Sequence, residues 1–208
     1  MKARIYTASM FVLLAIVAAV ALADWPEFLG PNRNAMVEPK ENLAQSWPEK
    51  GPKLHWQFDL EPGYGGAAVK DGRVYIMDRE GKERDLVYCI DLKTGKEVWK
   101  FSYEAKGSQK FQGARAVPAV DDKRVYTVGP FGHVHCLDRK SKQVVWAKSY
   151  KDDFGIRSVR WGHASAPLLY KEWVILAPQS KTVGIVACER ETGKVAWKSP
   201  SVGEAAHS

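Results

Sequence analysis

The sequence predicts an all-β chain built from repeated four-stranded antiparallel units, and three observations carry that prediction. First, Asp91-Leu-Lys-Thr-Gly-Lys-Glu-Val-Trp99, Asp138-Arg-Lys-Ser-Lys-Gln-Val-Val-Trp146 and Glu189-Arg-Glu-Thr-Gly-Lys-Val-Ala-Trp197 each set an acid eight residues before a tryptophan. Second, Val69-Lys-Asp-Gly-Arg-Val-Tyr75 aligns without a gap to Val120-Asp-Asp-Lys-Arg-Val-Tyr126 and to Leu169-Tyr-Lys-Glu-Trp-Val-Ile175. The tryptophans stand 47 and 51 residues apart and the upstream segments 51 and 49, a fixed period of the kind that marks repeat architectures. Third, beyond an apolar run at the start, no window keeps a sustained helical period, whereas short alternating runs bounded by turn residues recur throughout.

Lys2 and Arg4 precede an apolar run over 10–23 that ends in Ala21-Leu-Ala23, the pattern of a secretory signal peptide with cleavage after Ala23. Residues 1–23 are therefore expected to be removed and the chain exported, to the periplasm or the exterior. No stretch reaches the roughly 20 apolar residues of a spanning helix, so no stable membrane span is expected. Residues 24–52 form a lead-in. Residues 53–208 are the repeats, beginning with the tail of a fourth copy over 53–60, Leu54-His-Trp56-Gln-Phe58, whose Trp56 lies 43 residues before Trp99. That tail reads as a closing strand, and 64–101, 114–148 and 162–198 read as complete units.

Within the first unit four strand-length runs cover 64–70, 73–78, 85–91 and 97–101, separated by Asp71-Gly72, Glu80-Gly81 and Thr94-Gly95 as tight turns. Alternation in Val74-Tyr-Ile-Met77 and Val87-Tyr-Cys-Ile90 fits strands that use both faces. Four antiparallel strands repeated at this period form the blade of a β-propeller. The predicted fold is thus an all-β propeller arc of three full blades plus one strand, part of a seven- or eight-bladed ring. Eight such units need about 380 residues at the average repeat, against 208 here. The missing blades are expected from the rest of a longer chain or from another chain.

Lysine and arginine number 31 against 24 acids, a net charge of +7 that falls to +5 without Lys2 and Arg4. The basic residues are scattered singly between strands, so nucleic-acid binding is not expected. Three cysteines are too few for a disulfide-built scaffold. Cys89 and Cys136 share one repeat position and Cys188 falls on the opposite face of its strand; packing is the expected role of all three.

These residues resemble the PQQ-like (pyrroloquinoline-quinone-type) β-propeller repeats. The tryptophan docking motif of that family, roughly AxDxxxGKxxW, is met by Cys89-Ile-Asp91-Leu-Lys-Thr-Gly95-Lys-Glu-Val-Trp99. The third copy keeps Gly193 and Trp197 with Glu189 as the acid, and the second keeps Asp138 and Trp146 with Lys142 at the glycine position. The opening Asp24-Trp-Pro-Glu-Phe-Leu-Gly-Pro-Asn-Arg33 is similar to the lead-in of exported members from planctomycete-type bacteria. The resemblance implies either quinoprotein alcohol dehydrogenase-like chemistry or a scaffold of the BamB outer-membrane assembly type.

The motif has a physical reading without any ligand. Gly95 and Gly193 supply a positive φ, the acids bond turn amides, and Trp56, Trp99, Trp146 and Trp197 project between blades. Each ring buries on the order of 200 Å², which at about 25 cal/mol per Å² is several kcal/mol per blade. Thr94-Gly-Lys96 lacks the further glycines and the helix of a phosphate loop.

Two sites remain to be weighed. His133 and His135 form an HxH pair, but they fall in the slots of Leu86 and Tyr88, which points to packing. On the inner strands, Arg115 and His163, with Arg160 and Trp161 just before the latter, are where a ligand on the propeller axis would be read. A quinone-dependent enzyme would need carboxylate and amide ligands for calcium and a base there, and the inner runs 67–70, 117–120 and 167–170 contain no carboxylate. The expected function is an exported non-catalytic binding or assembly scaffold with a protein or glycan partner. PQQ and calcium enter only under the alternative, a PQQ-dependent alcohol or sugar dehydrogenase whose catalytic residues lie outside this stretch.

Overall fold

The computed structural model describes residues 24–37, 44–156, 161–201 and 203; the expected signal peptide and Arg160 lie outside the described residues. Twelve strands follow in order: β1 (Ala68–Lys70), β2 (Arg73–Glu80), β3 (Arg84–Asp91), β4 (Glu97–Glu104), β5 (Ala119–Val120), β6 (Arg124–Val128), β7 (His133–Asp138), β8 (Val144–Ser149), β9 (Leu168–Tyr170), β10 (Trp173–Leu176), β11 (Val183–Glu189) and β12 (Val195–Pro200). They form three antiparallel sheets, β1-β2-β3-β4, β5-β6-β7-β8 and β9-β10-β11-β12. The fold is the all-β propeller arrangement of successive four-stranded blades.

Two departures from the sequence expectations have local causes. Residues 53–60 form no strand, because no ladder partner for them lies among the described residues. A helix, α1 (Tyr150–Phe154), follows β8; Ser149 caps it by accepting from the Asp152 amide at 3.2 Å, and Gly155 ends it at φ 69°. At five residues it is too short to register as a helical period.

Packing follows the alternation of the strands. One apolar cluster joins Tyr75, Met77, Val87, Cys89 and Trp99 of the first blade to Val120, Val125 and Leu137 of the second. The next joins Tyr126, Val128, Val134, Cys136 and Trp146 to Leu169, Val174, Leu176, Val186 and Cys188 of the third. Each blade thus presents one face forward and the other backward. Cys188, one place beyond the slot of Cys89 and Cys136, faces back onto the second blade. All three cysteines are buried and free.

Each closing strand carries the same irregularity. Cys89 pairs with Trp99 but Ile90 with Glu97; Cys136 pairs with Trp146 but Leu137 with Val144; Ala187 pairs with Trp197 but Cys188 with Val195. One extra residue, Val98, Val145 or Ala196, therefore precedes each tryptophan as a β-bulge, which bends the strand and re-aims the side chain.

The tryptophans reach the next blade. Trp56 Nε1 donates to Leu92 O at 2.7 Å, Trp99 Nε1 to Arg139 O at 3.1 Å and Trp146 Nε1 to Arg190 O at 2.8 Å. Every acceptor is the residue after the turn acid. The acids hold those turns: Asp91 accepts from the Thr94 amide and hydroxyl at 2.9 Å each, Asp138 from the Ser141 amide at 2.8 Å, and Glu189 from the Thr192 hydroxyl at 2.6 Å. Hydrogen bonds from Thr94 keep the Asp91 carboxyl below its ordinary pKa.

The glycines of these turns have two reasons to be glycine. Gly95 and Gly193 have φ of 70° and 69°, and a Cβ would stand 2.6 Å from Trp56 Cγ or 2.7 Å from Trp146 Cδ2. In the middle blade Lys142 holds φ 59°, and there the indole hydrogen bond is the longest of the three. A left-handed non-glycine residue costs about 1–2 kcal/mol. Lys142→Gly is therefore expected to raise the melting temperature by a few degrees; a fall would show that the bond from Lys142 Nζ to Lys100 O outweighs the backbone term.

Candidate functional site

The strands β1, β5 and β9 each lie at the free edge of their sheet, where unpaired backbone groups are left over. These edges converge: the Tyr64 amide donates to Ala114 O at 2.8 Å, and Gly65 closes on the Ala116 carbonyl. The lead-in runs across all three. Trp25 and Val69 exchange two backbone hydrogen bonds of 2.8 Å, the Val120 amide donates to Pro26 O at 2.8 Å, and the Leu169 amide donates to Glu27 Oε2 at 3.4 Å while Leu169 O accepts from Arg33. Val69, Val120 and Leu169 are the same repeat position. Three equivalent edge groups are thus satisfied by one segment of nine residues, and Glu27, 7% exposed, is held there by Arg33 Nε at 3.2 Å.

Between this strap and the inner strands lies a cavity of about 800 Å³ lined by Trp25, Phe28, Tyr64 and Arg115 among others. Arg115 sits with its guanidinium 4.9 Å from the Tyr64 ring centroid and donates to Phe111 O. Tyr64 meets Phe111 edge-on at 6.4 Å, and Phe111 stacks on Trp161 at 5.5 Å with 16° between planes. Lys110 Nζ lies 5.6 Å from the Phe111 centroid and 5.5 Å from that of Trp161.

His163 goes elsewhere. It lines a second cavity of about 910 Å³ between the 104–108 segment, the 130–133 turn and α1. There it meets Tyr150 edge-on at 4.8 Å, and its amide donates to Pro130 O. Of the four residues expected on the axis, Arg115 and Trp161 are therefore joined through Phe111, His163 faces a different cavity, and Arg160 is outside the described residues. Sequence comparison missed Tyr64, Phe111 and Lys110; the signal present was one aromatic residue ahead of each inner strand.

Burial lowers the His163 pKa to about 4. A ring that binds its proton more weakly folded than unfolded supports the fold above its unfolded pKa of 6.5 and loses that support as pH falls toward 4. At about pH 5 the loss is on the order of 2 kcal/mol. The melting temperature of a His163→Leu variant is expected to fall less between neutral pH and pH 5 than that of the wild type; parallel curves would refute this.

His133 and His135 pack backward against the first blade, with the Tyr103 ring 5.6 Å and 4.2 Å away. Burial, and then the neighbouring His133, lower the pKa of His135 to about 4. Among the described residues no group of three or more His, Cys, Asp or Glu side chains is placed to hold a metal ion.

The fit of calcium and PQQ to the inner-edge cavity can be judged from its donors. Calcium takes six to eight oxygens, several of them carboxylate. Among the described residues Glu27 is the one carboxylate lining this cavity, and its oxygens already accept from Arg33 and from the Leu169 amide. The described residues of this cavity do not make a calcium site.

The profile of the family described as outer membrane protein assembly factor BamB matches residues 48–115 and 83–208. The chain is similar to lupanine 17-hydroxylase (cytochrome c) of a Pseudomonas species, 26% identical over 196 residues covering 87% of this chain and 27% of that protein. It is also similar to the quinohemoprotein alcohol dehydrogenase of Comamonas testosteroni, 27% identical over 161 residues covering 72% of this chain and 22% of that protein. Among solved structures, europium-containing methanol dehydrogenase matches with a TM-score of 0.52 at 18% identity, over 73% of this chain and 27% of that one, a likeness of fold alone. The chain spans about a quarter of the length of the relatives it matches.

Proposed function

The chain belongs to the PQQ-like β-propeller repeat family, and from that premise we propose that it acts outside the cytoplasm as a non-catalytic binding or assembly scaffold for a protein or glycan partner. The observation that carries this reading is the strap. Residues 25–33 bond the free-edge backbone groups of Val69, Val120 and Leu169 in all three blades, and the strap's own carboxylate, Glu27, is held by Arg33 and the Leu169 amide. What remains accessible beside it is a run of aromatic rings and cations, which suits recognition. The export expected from the first 23 residues supports a periplasmic or extracellular place of action; among the described residues no helix is long and apolar enough to cross a membrane.

A second reading has support of its own. Both individual relatives carry redox enzyme names, so a quinone-dependent alcohol or sugar dehydrogenase, with its catalytic groups in further blades, is the alternative. Full-length protein incubated with PQQ and calcium separates the two: the scaffold reading expects no dye-linked oxidation of alcohols or sugars, and sustained turnover would replace it with the alternative.

A further inference from the structure

Tyr64, Phe111 and Trp161 each precede the inner strand of a different blade, yet they come together in single file. Successive ring centroids are 6.4 and 5.5 Å apart. Tyr64 is 61% and Phe111 45% exposed, and Tyr64 lines the cavity under the strap. Exposed contiguous apolar surface marks an interaction site, and rigid aromatic rings offer contact area at small entropic expense.

Cations flank the file along its length, Arg115 at Tyr64 and Lys110 at both Phe111 and Trp161. Neither forms a salt bridge among the described residues. No carboxylate among the described residues neutralises them, which suits an anionic ligand. A narrow file of rings, one per blade, is far smaller than the roughly 800 Å² per partner of a protein interface, and its repeat suits a ligand that itself repeats.

We propose that Tyr64, Phe111 and Trp161, with Lys110 and Arg115, form a binding track for an acidic polysaccharide whose sugar rings carry carboxylate or sulfate groups. The apolar C–H faces of the sugars pack on the exposed parts of Tyr64 and Phe111, the latter backed by Trp161, while their hydroxyls stay in water. The acid groups meet Lys110 and Arg115, whose contact with the rings holds them in place. The track leads into the cavity under the strap, where Arg33 and Arg115 both stand. The proposal rests on the binding-scaffold reading and gives it a ligand class.

The test is affinity electrophoresis and titration calorimetry of the full-length protein with polygalacturonate, dextran sulfate, dextran and an oligothymidylate. Binding of polygalacturonate or dextran sulfate without binding of dextran is expected, and which one binds assigns carboxylate or sulfate. Phe111→Ala and Tyr64→Ala should each weaken that binding about tenfold or more, and Lys110→Gln should weaken it and flatten its dependence on salt. Circular dichroism and melting temperature close to wild type will show these exposed-site variants to be folded. Equal binding of dextran, tighter binding of the oligothymidylate, or undiminished affinity in the variants would each overturn the proposal. No binding of any probe, with no turnover on PQQ and calcium, would overturn the glycan track while leaving the scaffold reading intact; turnover would remove the scaffold reading itself.

Discussion

Trp146→Ala is expected to lower stability by about 3–5 kcal/mol, the cost of removing a large buried ring. Trp146 is 8% exposed, stacks against Gly193, lies 6.1 Å from Tyr126 and donates to Arg190 O. Its loss opens a void between the second and third blades and leaves that carbonyl unpaired. At a few degrees per kcal/mol for a chain of this size, the melting temperature should drop on the order of 10 °C. Trp197 provides the internal comparison. It is 41% exposed and meets Trp173 edge-on, so its replacement costs little unless a further blade covers it. If a further blade packs on Trp197, Trp197→Ala should cost as much as Trp146→Ala. A drop of less than about 1 kcal/mol for Trp146→Ala, typical of surface changes, would show that docking is not what holds the blades together.

The second large effect is expected at Arg79. Its side chain is 1% exposed and pairs with Asp85, which is 0% exposed. Its second terminal nitrogen donates to Ala105 O at 2.8 Å and Gly107 O at 3.0 Å, and Phe131 of the next blade lies 4.6 Å from the guanidinium carbon. One cation therefore ties β2, β3, the exit of β4 and the neighbouring blade. Burial pushes the Asp85 carboxyl up in pKa, and Arg79 works against that shift. Arg79→Met strands the carboxyl and two carbonyls, and breaking a buried pair costs about 3–5 kcal/mol. The double variant Arg79→Met with Asp85→Leu removes both charges and should recover part of the loss. Melting curves for both give the answer: a single variant as stable as the wild type, or a double variant worse than the single, would contradict the assignment.

The blades were legible in the sequence because each uses the same residues for the same local work. Asp91, Gly95 and Trp99 recur as Asp138 with Trp146 and as Glu189, Gly193 and Trp197, and their spacing encodes a turn and a bulged strand that depend on no distant partner. The bulges at Val98, Val145 and Ala196 were not legible, since an extra residue in an apolar run looks like one more strand position. The strap was invisible for a different reason. Glu27 and Leu169 are 142 residues apart, and no local pattern tells a carboxylate which free amide it will meet. Tyr64 and Phe111 escaped because the aromatic file is out of register: shifted by the repeat, Phe111 falls on Leu60 and Trp161 on Gln112, so comparing copies hides the file that folding assembles. Arg79 has no counterpart at its position in the other blades, and nothing in a repeat comparison draws the eye to it. Arg115 and His163 are expected on the inner strands, with Trp161 just before the latter, but β5 begins at Ala119 and β9 at Leu168, so all three precede them. Arg115 and Trp161 are joined through Phe111, while the turn at Pro130 draws His163 to the other cavity.

Residues 25–33 hold the inner edge of all three blades, and the proposed binding-scaffold function rests on that contact. Hydrogen exchange of the Trp25, Val69 and Val120 amides in the full-length protein tests this most directly, because each donates to a backbone carbonyl in the strap contacts. These amides are expected to exchange as slowly as those within β2 and β3, with protection unchanged by PQQ and calcium. Rapid exchange at these amides, or loss of protection when PQQ and calcium are added, would show that the strap is absent or yields to a cofactor, and would contradict the account.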